Sequence, residues 1–431
     1  MHDQQPAPPP GGTPESEPEL FTWEFASNPY PAYAWLRDNA PVRKTPLPSG
    51  VDAWLVTRYA DARQALADQR LSKNPAHHDE PAHAKRKTGI PGERGANLMT
   101  HLLNIDPPDH TRLRRLVAKA FTPRRVAEFA PRVQELTDQL IDTFIEEGEE
   151  GSADLIHEFA FPLPIYAICD LLGVPREDQD DFRDWAGMMI RHGGGPRGGV
   201  ARSVKKMRGY LAELIHRKRL EPGDDLISGL IKASDHGEHL TENEAAAMAF
   251  ILLFAGFETT VNLIGNGMYA LLTHPEQRAR LQKALADGDT GLLETGVEEL
   301  LRFDGPVELA TWRFATEPLT IGGQDIAAGD PVLVVLAAAD RDPARFEEPD
   351  TLDLSRRDNQ HLGYGHGIHY CLGAPLARLE GRTALATLLR RLPDLQLAAE
   401  PGDLRWRGGL IMRGLRTLPV KFTTAQTTVS D

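Results

Sequence analysis

One cysteine, Cys371, lies in a glycine-rich loop directly before a segment with helical character at residues 376–389. A thiolate in this position is favoured by the helix dipole and by the unpaired N–H groups of the first helical turn. Gly365, Gly367 and Gly373 permit tight backbone angles and a close approach of the backbone to a flat group. The loop therefore predicts a single sulfur atom directed at a bound ligand.

Two other interpretations of this loop are open from the residues alone. Zinc binds histidine and cysteine side chains, and four of these lie close together: His361, His366, His369 and Cys371. Structural zinc sites usually draw on two separated ligand pairs, and the sequence has no second cysteine nearby. A buried and inert cysteine is the other interpretation, and it leaves the three loop glycines unexplained.

The loop resembles the haem-binding loop of the cytochrome P450 monooxygenases, whose pattern is Phe-Gly-x-Gly-x-His-x-Cys-x-Gly. The resemblance makes Cys371 the axial ligand of the iron in haem b, and Gly373 the glycine that completes the pattern. A cysteine ligand donates electron density to the iron and favours O–O cleavage. Tyr364 stands where the family usually has Phe, so it is expected beside the sulfur. Its hydroxyl needs a partner if it is buried.

Glu258 and Thr259 form a polar group in the middle of a long predicted helix, directly after an apolar run. Gly256 beside them costs about 1 kcal/mol relative to alanine in a helix interior, and such local rule violations indicate function. The segment resembles the family motif Ala/Gly-Gly-x-Asp/Glu-Thr, which crosses the oxygen-binding face of the haem. The resemblance implies that Ala255 contacts the cofactor, Thr259 holds dioxygen and Glu258 supplies protons. The alternative is a solvent-facing glutamate beside a core threonine.

Cationic side chains are expected around a buried haem, because its two propionates need charged or hydrogen-bonding partners. The resemblance assigns this role to His110, Arg114, Arg313 and His369. His110 and Arg114 lie at i and i+4, so one helix face presents both. Taken in isolation, they would be assigned to a solvated basic helix.

Three other charged residues are assigned a structural role. Glu299 and Arg302 share one helix face at i and i+3. The resemblance joins Arg356 to this pair and places the three residues beneath the cysteine loop as a brace.

Helical periodicity dominates the chain, so we expect a mostly α-helical protein with a minor β-sheet region. Thr241 and Glu244 match a capping box that opens a long helix ending before His274. Other helical patterns span residues 126–147 and 156–172. Strand-like segments cluster late in the chain, at residues 319–321, 331–336 and 395–398. The resemblance implies the cytochrome P450 fold, a triangular helical prism with haem between the long central helix and the helix after the cysteine loop.

The length of 431 residues permits two ordinary domains or one large one. The resemblance favours a single cytochrome P450 domain at residues 21–423, with disordered tails at 1–20 and 424–431. Two cysteines give no disulfide framework, which favours a reducing cytoplasm. We find no signal peptide and no uninterrupted apolar run of membrane-spanning length. The net charge of −14 argues against a nucleic-acid partner, and we expect a cytoplasmic monomer without a membrane anchor.

A basic helix on this acidic chain predicts an acidic docking partner, and Arg112 and Arg115 are its candidate contacts. In the family, the partner is a ferredoxin, which a ferredoxin reductase supplies with electrons from NAD(P)H. The chain is most similar to actinobacterial macrolide hydroxylases in residues 258–269 and 412–415. This likeness implies a monooxygenase that inserts one atom of O2 into a bulky apolar secondary metabolite, a macrolide or other polyketide.

Candidate substrate contacts are the loops at residues 73–103 and 188–200 and five single residues: Leu252, Ala255, Val307, Glu308 and Ile411. Each apolar residue among them is as readily explained by the core. Glu308 is a candidate for binding an amino-sugar cation.

Two rival functions remain open at this stage. A peroxide-driven haem enzyme of the same fold would not need Glu258 and Thr259. A non-catalytic haem sensor would keep Cys371 but would need neither a proton path nor a basic docking face.

Overall fold

The structure is a computed structural model that describes residues 16–74, 77, 101–148, 151–190, 199–235 and 237–423. The C-terminal tail and residues 1–15 of the N-terminal tail lie outside the described residues. Most of the two candidate substrate loops, at residues 75–76, 78–100 and 191–198, lies outside them as well.

Helices make up most of the described chain, as the periodicity predicts. In chain order they are α1 Trp23–Ser27, α2 Tyr30–Asn39, α3 Tyr59–Ala67, α4 Asp109–Ala120, α5 Pro123–Glu128, α6 Ala130–Glu147, α7 Pro162–Leu172, α8 Arg176–Ile190, α9 Gly199–Leu220, α10 Leu226–Lys232, α11 Glu242–Thr273, α12 Pro275–Ala286, α13 Gly291–Asp304, α14 Leu336–Ala339 and α15 Ala374–Arg391. A π-helix, Ile156–Ala160, precedes α7, and short 3-10 turns span Gly367–His369 and Pro401–Asp403.

Two helices predicted as continuous are interrupted. The segment at 126–147 divides into α5 and α6, and Pro131 occupies the first turn of α6. The segment at 156–172 divides into the π-helix and α7, whose first turn contains Pro162 and Pro164. Proline has no N–H to donate and clashes with the preceding turn, so a helix restarts at proline rather than continuing through it.

Within the described residues, the β structure is small and divides into one five-stranded, one three-stranded and two two-stranded sheets. The strands are β1 Val42–Pro46, β2 Asp52–Val56, β3 Leu71–Ser72, β4 Ser152–Asp154, β5 Ser234–Asp235, β6 Glu238–His239, β7 Arg313–Ala315, β8 Leu319–Ile321, β9 Gln324–Ile326, β10 Pro331–Val334, β11 Gln396–Leu397 and β12 Pro419–Lys421. The main sheet has the order β1-β2-β10-β7-β3, in which only β10 and β2 are parallel. Val332 pairs with Trp54 on one side and Arg313 on the other. The sheet therefore fixes Arg313 in its interior.

Helix α11, called the central helix below, begins with the predicted capping box. The Thr241 hydroxyl accepts from the Glu244 N–H, and the Glu244 carboxylate accepts from the Thr241 N–H. Its 32 residues span about 48 Å at 1.5 Å per residue. It packs against α7, α9, α13 and α15, the helix that follows the cysteine loop. The central helix therefore crosses the core and contacts the helix that follows the cysteine loop.

The apolar character of the central helix exceeds what the sequence analysis expected. Among the described residues, this one helix is long and apolar enough to cross a membrane, with a mean hydropathy of 1.8 in its most apolar window. Of that window, 72% is buried inside the protein. Core packing accounts for the hydropathy, so one such helix is a weak indication of a membrane span.

A buried ion-pair network connects α13 to the loop that precedes the cysteine. Arg302 donates two hydrogen bonds of 2.8 Å to the Glu299 carboxylate, and both side chains are fully buried. Arg356 contacts the same carboxylate at 3.1 and 3.2 Å, and Asn359 donates to it at 3.1 Å. Arg302 also donates to three backbone carbonyl groups, at Asp340, Pro349 and Thr351.

Arg302→Met should lower the free energy of unfolding by about 3–5 kcal/mol, because it leaves a buried carboxylate without its bidentate partner. Denaturant unfolding followed by circular dichroism measures this change. Arg124→Met is the matched control, since Arg124 forms an exposed ion pair with Glu128 and should unfold at the wild-type midpoint. Equal midpoints for the two variants would contradict the structural role of the network.

Candidate active site

The loop around Cys371 is closed by its own backbone. The Cys371 N–H donates to the Tyr364 carbonyl oxygen at 2.9 Å. Gly365 and Gly367 both have φ of 75°, a left-handed conformation that glycine adopts without the steric cost of a Cβ. A Cβ at Gly367 would also lie 3.1 Å from the Leu66 carbonyl oxygen. The loop glycines are thus explained by backbone conformation and by close approach to α3.

The backbone N–H groups of Gly373 and Ala374, at the start of α15, lie close enough to the Cys371 sulfur to lower the pKa of its thiol. Burial raises the pKa of the Cys371 thiol, and these N–H groups, together with Arg114, oppose the shift. Protein surrounds much of the sulfur, yet the Cys371 residue as a whole is exposed. The second cysteine, Cys169, is buried in the core.

The zinc interpretation of the loop is wrong for the described residues. They contain no group of three or more His, Cys, Asp or Glu side chains that suits a metal ion. His361 turns away to Glu298, with 3.1 Å between its Nε2 and the carboxylate. The exposure of Cys371 also excludes the buried, inert cysteine.

Positive charge gathers near the sulfur in the region where propionate anchors were predicted. The rings of His110 and His369 lie 4.3 Å apart, and the buried His110 Nε2 has no hydrogen-bond partner. Arg114 donates to the Tyr370 carbonyl oxygen at 2.8 Å. Arg313 is buried and reaches only carbonyl oxygens, at 3.4 Å. Burial lowers the pKa of Arg313 to about 10 and, together with Lys73, the pKa of His369 to about 2.

Lys73 belongs to the same cationic group, and the sequence analysis missed it. Its ammonium group is buried and donates to the carbonyl oxygens of Thr311 and Trp312 at 2.9 and 2.6 Å. Burial and then Arg313 lower the pKa of Lys73, and Asp106 opposes the shift. The polar sequence around Lys73 predicts a loop and gives no indication of the groups that Lys73 contacts. Among the described residues, Asp106 is the carboxylate whose charge acts on both Lys73 and Arg313. Such a cluster fits a ligand that supplies negative charge, as the two carboxylates of haem do.

One stripe of the mostly buried central helix is accessible. Leu252, Ala255 and Thr259 lie at i, i+3 and i+7, so they share a helix face, and all three have exposed or half-buried side chains. The Thr259 hydroxyl donates to the Ala255 carbonyl oxygen at 2.8 Å. An accessible stripe on a core helix marks the wall of a ligand site rather than plain core.

The half-buried Val307 and Ile411 are held together by the backbone. Val307 pairs with Met412 in an isolated β-bridge, and the Glu308 N–H donates to the Ile411 carbonyl oxygen at 2.8 Å. This pairing places two of the predicted apolar contacts side by side.

Glu258 is buried, so the alternative in which it turns to solvent is wrong. Its Oε1 lies 4.0 Å from Nη1 of Arg407, a residue in the C-terminal segment. Thr259, the threonine of that alternative, is half-buried. The next residue, Thr260, is buried and donates to the Gly256 carbonyl oxygen at 3.2 Å. The sequence analysis missed Arg407, because nothing in its local pattern indicates a partner 149 positions earlier in the chain.

The hypothesis that Glu308 binds a substrate cation is corrected by its position. Its carboxylate is buried and accepts a hydrogen bond from the Tyr33 hydroxyl on α2. Burial raises the pKa of Glu308, and Arg413 opposes the shift. Glu308 therefore connects the N-terminal helices to the core and does not face a substrate.

Comparisons with known proteins identify the family. A family model described as cytochrome P450 matches residues 197–397. Cytochrome P450 107B1 of Saccharopolyspora erythraea is 46% identical and covers 94% of this chain and 98% of its own length. The chain belongs to the cytochrome P450 family. The cytochrome P450 monooxygenase PikC of Streptomyces venezuelae is similar as well, with 47% identity over 95% of this chain and 96% of its own.

The fold comparison agrees with the sequence comparison. The solved structure of the bacillaene polyketide synthase cytochrome P450 PksS of Bacillus subtilis 168 matches with a TM-score of 0.84 and 38% identity, covering 94% of this chain and 99% of its own. The predicted P450 fold is thereby confirmed. The chain is a P450 monooxygenase, an enzyme of a haem-thiolate family that uses O2, a substrate and redox partners.

Tyr364 distinguishes this P450 from the usual family pattern. The Arg378 guanidinium lies 4.4 Å from its ring centroid and is held there by two hydrogen bonds to Glu298, of 2.6 and 2.7 Å. The Tyr364 hydroxyl is buried without a hydrogen-bond partner, and burial raises its pKa. Tyr364 lies near Cys371, whose charge acts on its hydroxyl, and this hydroxyl is an unpaired polar group that phenylalanine lacks.

Tyr364→Phe should therefore stabilise the enzyme by about 1 kcal/mol, because it removes a buried hydroxyl without a partner and keeps the ring. The midpoint of denaturant unfolding measures the gain. Tyr370→Phe is the control, since the exposed Tyr370 hydroxyl accepts a hydrogen bond from Arg378 at 3.3 Å and its loss should bring no gain. A lower midpoint for Tyr364→Phe would show that its hydroxyl has a partner in solution.

Proposed function

We propose that this P450 oxidises a bulky apolar secondary metabolite, a macrolide or other polyketide. Relatives named 6-deoxyerythronolide B hydroxylase and mycinamicin IV hydroxylase/epoxidase support a macrolide. A relative named vitamin D(3) 25-hydroxylase supports the broader class of large apolar substrates. Leu252, Ala255, Val307 and Ile411 form the apolar wall for this substrate, and Glu308 takes no part in it.

The observation that carries the proposal is the environment of one sulfur atom. Cys371 is exposed, and the N–H groups of Gly373 and Ala374 at the start of α15 favour its thiolate, so it is the residue that would bind the iron of haem b. Gly373 is part of the same cofactor-binding loop. The two propionates would find their partners in the unpaired Nε2 of His110, the buried Arg313 and the half-buried Arg114 and His369. Lys73, anchored on neighbouring carbonyl oxygens, adds positive charge to the same side.

Haem with a cysteine ligand supplies the activation of dioxygen. The enzyme inserts one oxygen atom into the substrate and releases the other as water, which consumes two electrons from NAD(P)H and two protons. Thr259, on the accessible stripe, offers its hydroxyl to the oxygen side of the site. Glu258, one residue earlier in the same helix, stores and passes the protons, as a carboxylic acid does in general acid catalysis.

The two rival functions lack support from these residues. A peroxide-driven enzyme receives its protons with the peroxide and would not need a buried glutamate held by an arginine. A sensor would bind haem without the Glu258–Thr259 pair. We therefore assign Glu258 and Thr259 to catalysis.

An acidic ferredoxin, supplied by a ferredoxin reductase, is the proposed electron donor. Arg115 and Lys119 are exposed on α4, near the Tyr370 backbone that Arg114 contacts. The expectation for Arg112 changes, because Arg112 is half-buried and forms an ion pair with Glu244 at the start of the central helix. Charge reversal at Arg112 would break this pair, so Arg115 is the better test of docking.

The remaining proposals concern the whole chain. The main sheet, which pairs β1, β2 and β3 of the N-terminal part with β7 and β10, and the hydrophobic core from Leu102 to Phe422 together support a single domain over residues 21–423. One buried and one ligand-binding cysteine support a reducing, cytoplasmic location.

A panel of 6-deoxyerythronolide B, mycinamicin IV and vitamin D(3), with isotopically labelled dioxygen, tests the proposed substrate class. At least one macrolide should shift the spectrum of the ferric haem and yield a product that carries one labelled oxygen atom. Labelled water serves as the control and should give no label in the product. Turnover of vitamin D(3) with no spectral response to either macrolide would replace the polyketide proposal by a sterol-like substrate.

Arg115→Glu should reduce kcat/KM for a plant-type ferredoxin about fivefold at low ionic strength, because it reverses a charge on the docking face. High salt should shrink the difference. Arg208→Glu is the control, since Arg208 is exposed on α9 and should leave the rate unchanged. Equal effects of the two variants would show that docking depends on net charge and not on α4.

A further inference from the structure

Polar side chains form a second stripe on the central helix, beside the accessible one. Glu258, Asn262 and Asn266 lie at i, i+4 and i+8, and all three are buried. Asn266 donates to the carbonyl oxygens of Asp304 and Arg413 at 3.1 and 3.2 Å. Both polar atoms of Asn262 and the Oδ1 of Asn266 have no hydrogen-bond partner in the protein. Such a stripe is unexpected on a helix that otherwise packs apolar side chains.

The C-terminal segment covers this stripe and brings another unpaired group. The Arg407 N–H donates to the Gly414 carbonyl oxygen at 2.8 Å, which closes a narrow hairpin over the helix. A Cβ at Gly414 would lie 2.1 Å from the Asn262 Oδ1, so the backbone of Gly414 rests on the asparagine. Nη1 of Arg407 is buried, has no hydrogen-bond partner and faces Glu258 at 4.0 Å.

The distances indicate water between these groups. A polar contact longer than about 3.5 Å is commonly bridged by an ordered water molecule. A buried polar atom without a partner costs about 1–3 kcal/mol, so native proteins satisfy such atoms with buried water. Asn262 and Arg407 offer three such atoms, and a water molecule needs two to four polar partners.

The hairpin also reaches the surface. Gly408 and Gly409 directly follow Arg407 and are exposed, and the Arg407 side chain is itself partly accessible. A path of polar groups therefore runs from bulk solvent through Arg407 to the carboxylate of Glu258. The other charged groups that act on Arg407 are Arg416 and Asp154. The Asp154 Oδ1 is occupied by the N–H groups of Ile156 and Leu418, so Glu258 is the carboxylate that faces the guanidinium.

We propose that Arg407 and Asn262 hold ordered water that carries protons from the Gly408–Gly409 turn to Glu258, with Arg407 as the positioning residue. This inference rests on the proposed role of Glu258. A proton enters from bulk water and moves along the bound water to the Glu258 carboxylate, which passes its proton on toward the oxygen side. The guanidinium stays charged throughout, and no electrons move in this step. As a positioning residue, Arg407 acts through Glu258.

Arg407→Met, Arg407→Lys and Glu258→Gln are compared with the wild type in assays with a plant-type ferredoxin and its reductase. The probe is the panel compound that perturbs the ferric haem most, or no added compound if none does. NADPH oxidation should slow about tenfold in Arg407→Met, as expected for loss of a proton-transfer step. In the same variant, the solvent isotope effect on NADPH oxidation should rise, and more peroxide should be released per NADPH consumed. Arg407→Lys should recover part of the rate, because it restores a charge near the carboxylate.

Two controls distinguish a positioning role of Arg407 from a role in maintaining the fold. Arg405→Met removes an exposed arginine of the same segment and should behave as the wild type. Added hydrogen peroxide carries its own protons. Arg407→Met should therefore retain peroxide-driven turnover at the wild-type rate. Loss of peroxide-driven turnover as well would mean that Arg407 only maintains the fold, and this result would overturn the proposal.

The outcomes also separate this inference from the function on which it rests. If Glu258→Gln leaves NADPH oxidation and its isotope effect unchanged, the proposed role of Glu258 fails. If Glu258→Gln slows the reaction and Arg407→Met does not, the role of Glu258 stands and the proton path through Arg407 is wrong. A crystal structure provides the direct view, in which ordered water between Arg407 Nη1 and Asn262 is expected and a dry contact would overturn the proposal.

Discussion

The position of the Cys371 sulfur is the constraint on which the rest of the site depends. A thiolate needs stabilisation, and here the backbone provides it through two N–H groups at the start of α15. Because these groups belong to the helix, the direction of the sulfur is set by the direction of α15. That helix packs on the central helix, so one contact between two helices relates the sulfur to Glu258 and Thr259.

Burial of charge explains much of what surrounds this contact. An acidic protein with net charge −14 keeps a cluster of buried cations, and most of them rest on carbonyl oxygens rather than carboxylates. Such a cluster is costly unless a ligand supplies the opposite charge. In contrast, the Glu299–Arg302–Arg356 network is fully paired, as expected for charges that serve the fold. Cations that lack carboxylate partners therefore indicate a ligand site, whereas the fully paired network indicates a structural role.

Features that depend on local chemistry could be predicted from the sequence. The capping box at Thr241 set the start of the central helix, and the turn at His274 set its end, because both signals lie within one helical turn. The glycines of the cysteine loop also follow from local backbone angles. The breaks before α6 and α7 were missed, although Pro131 and Pro162 carried the signal.

Partners distant in the chain could not be predicted. Glu308 meets Tyr33, Arg112 meets Glu244 and Arg407 meets Glu258. Each pair joins elements whose relative position is set by packing, and no periodicity encodes which charged side chain will face which. The family resemblance assigned Glu258 a role but did not supply its partner. Long-range electrostatics are therefore where the structure adds most to the sequence.

The bond between sulfur and iron is the central claim, and one spectrum tests it most directly. Purified protein supplied with haem is reduced and exposed to carbon monoxide. The account predicts the red-shifted Soret band that marks thiolate ligation, and loss of that band in Cys371→Ser. A protein that binds no porphyrin, or a carbonyl spectrum with the Soret position of histidine ligation, would contradict the account.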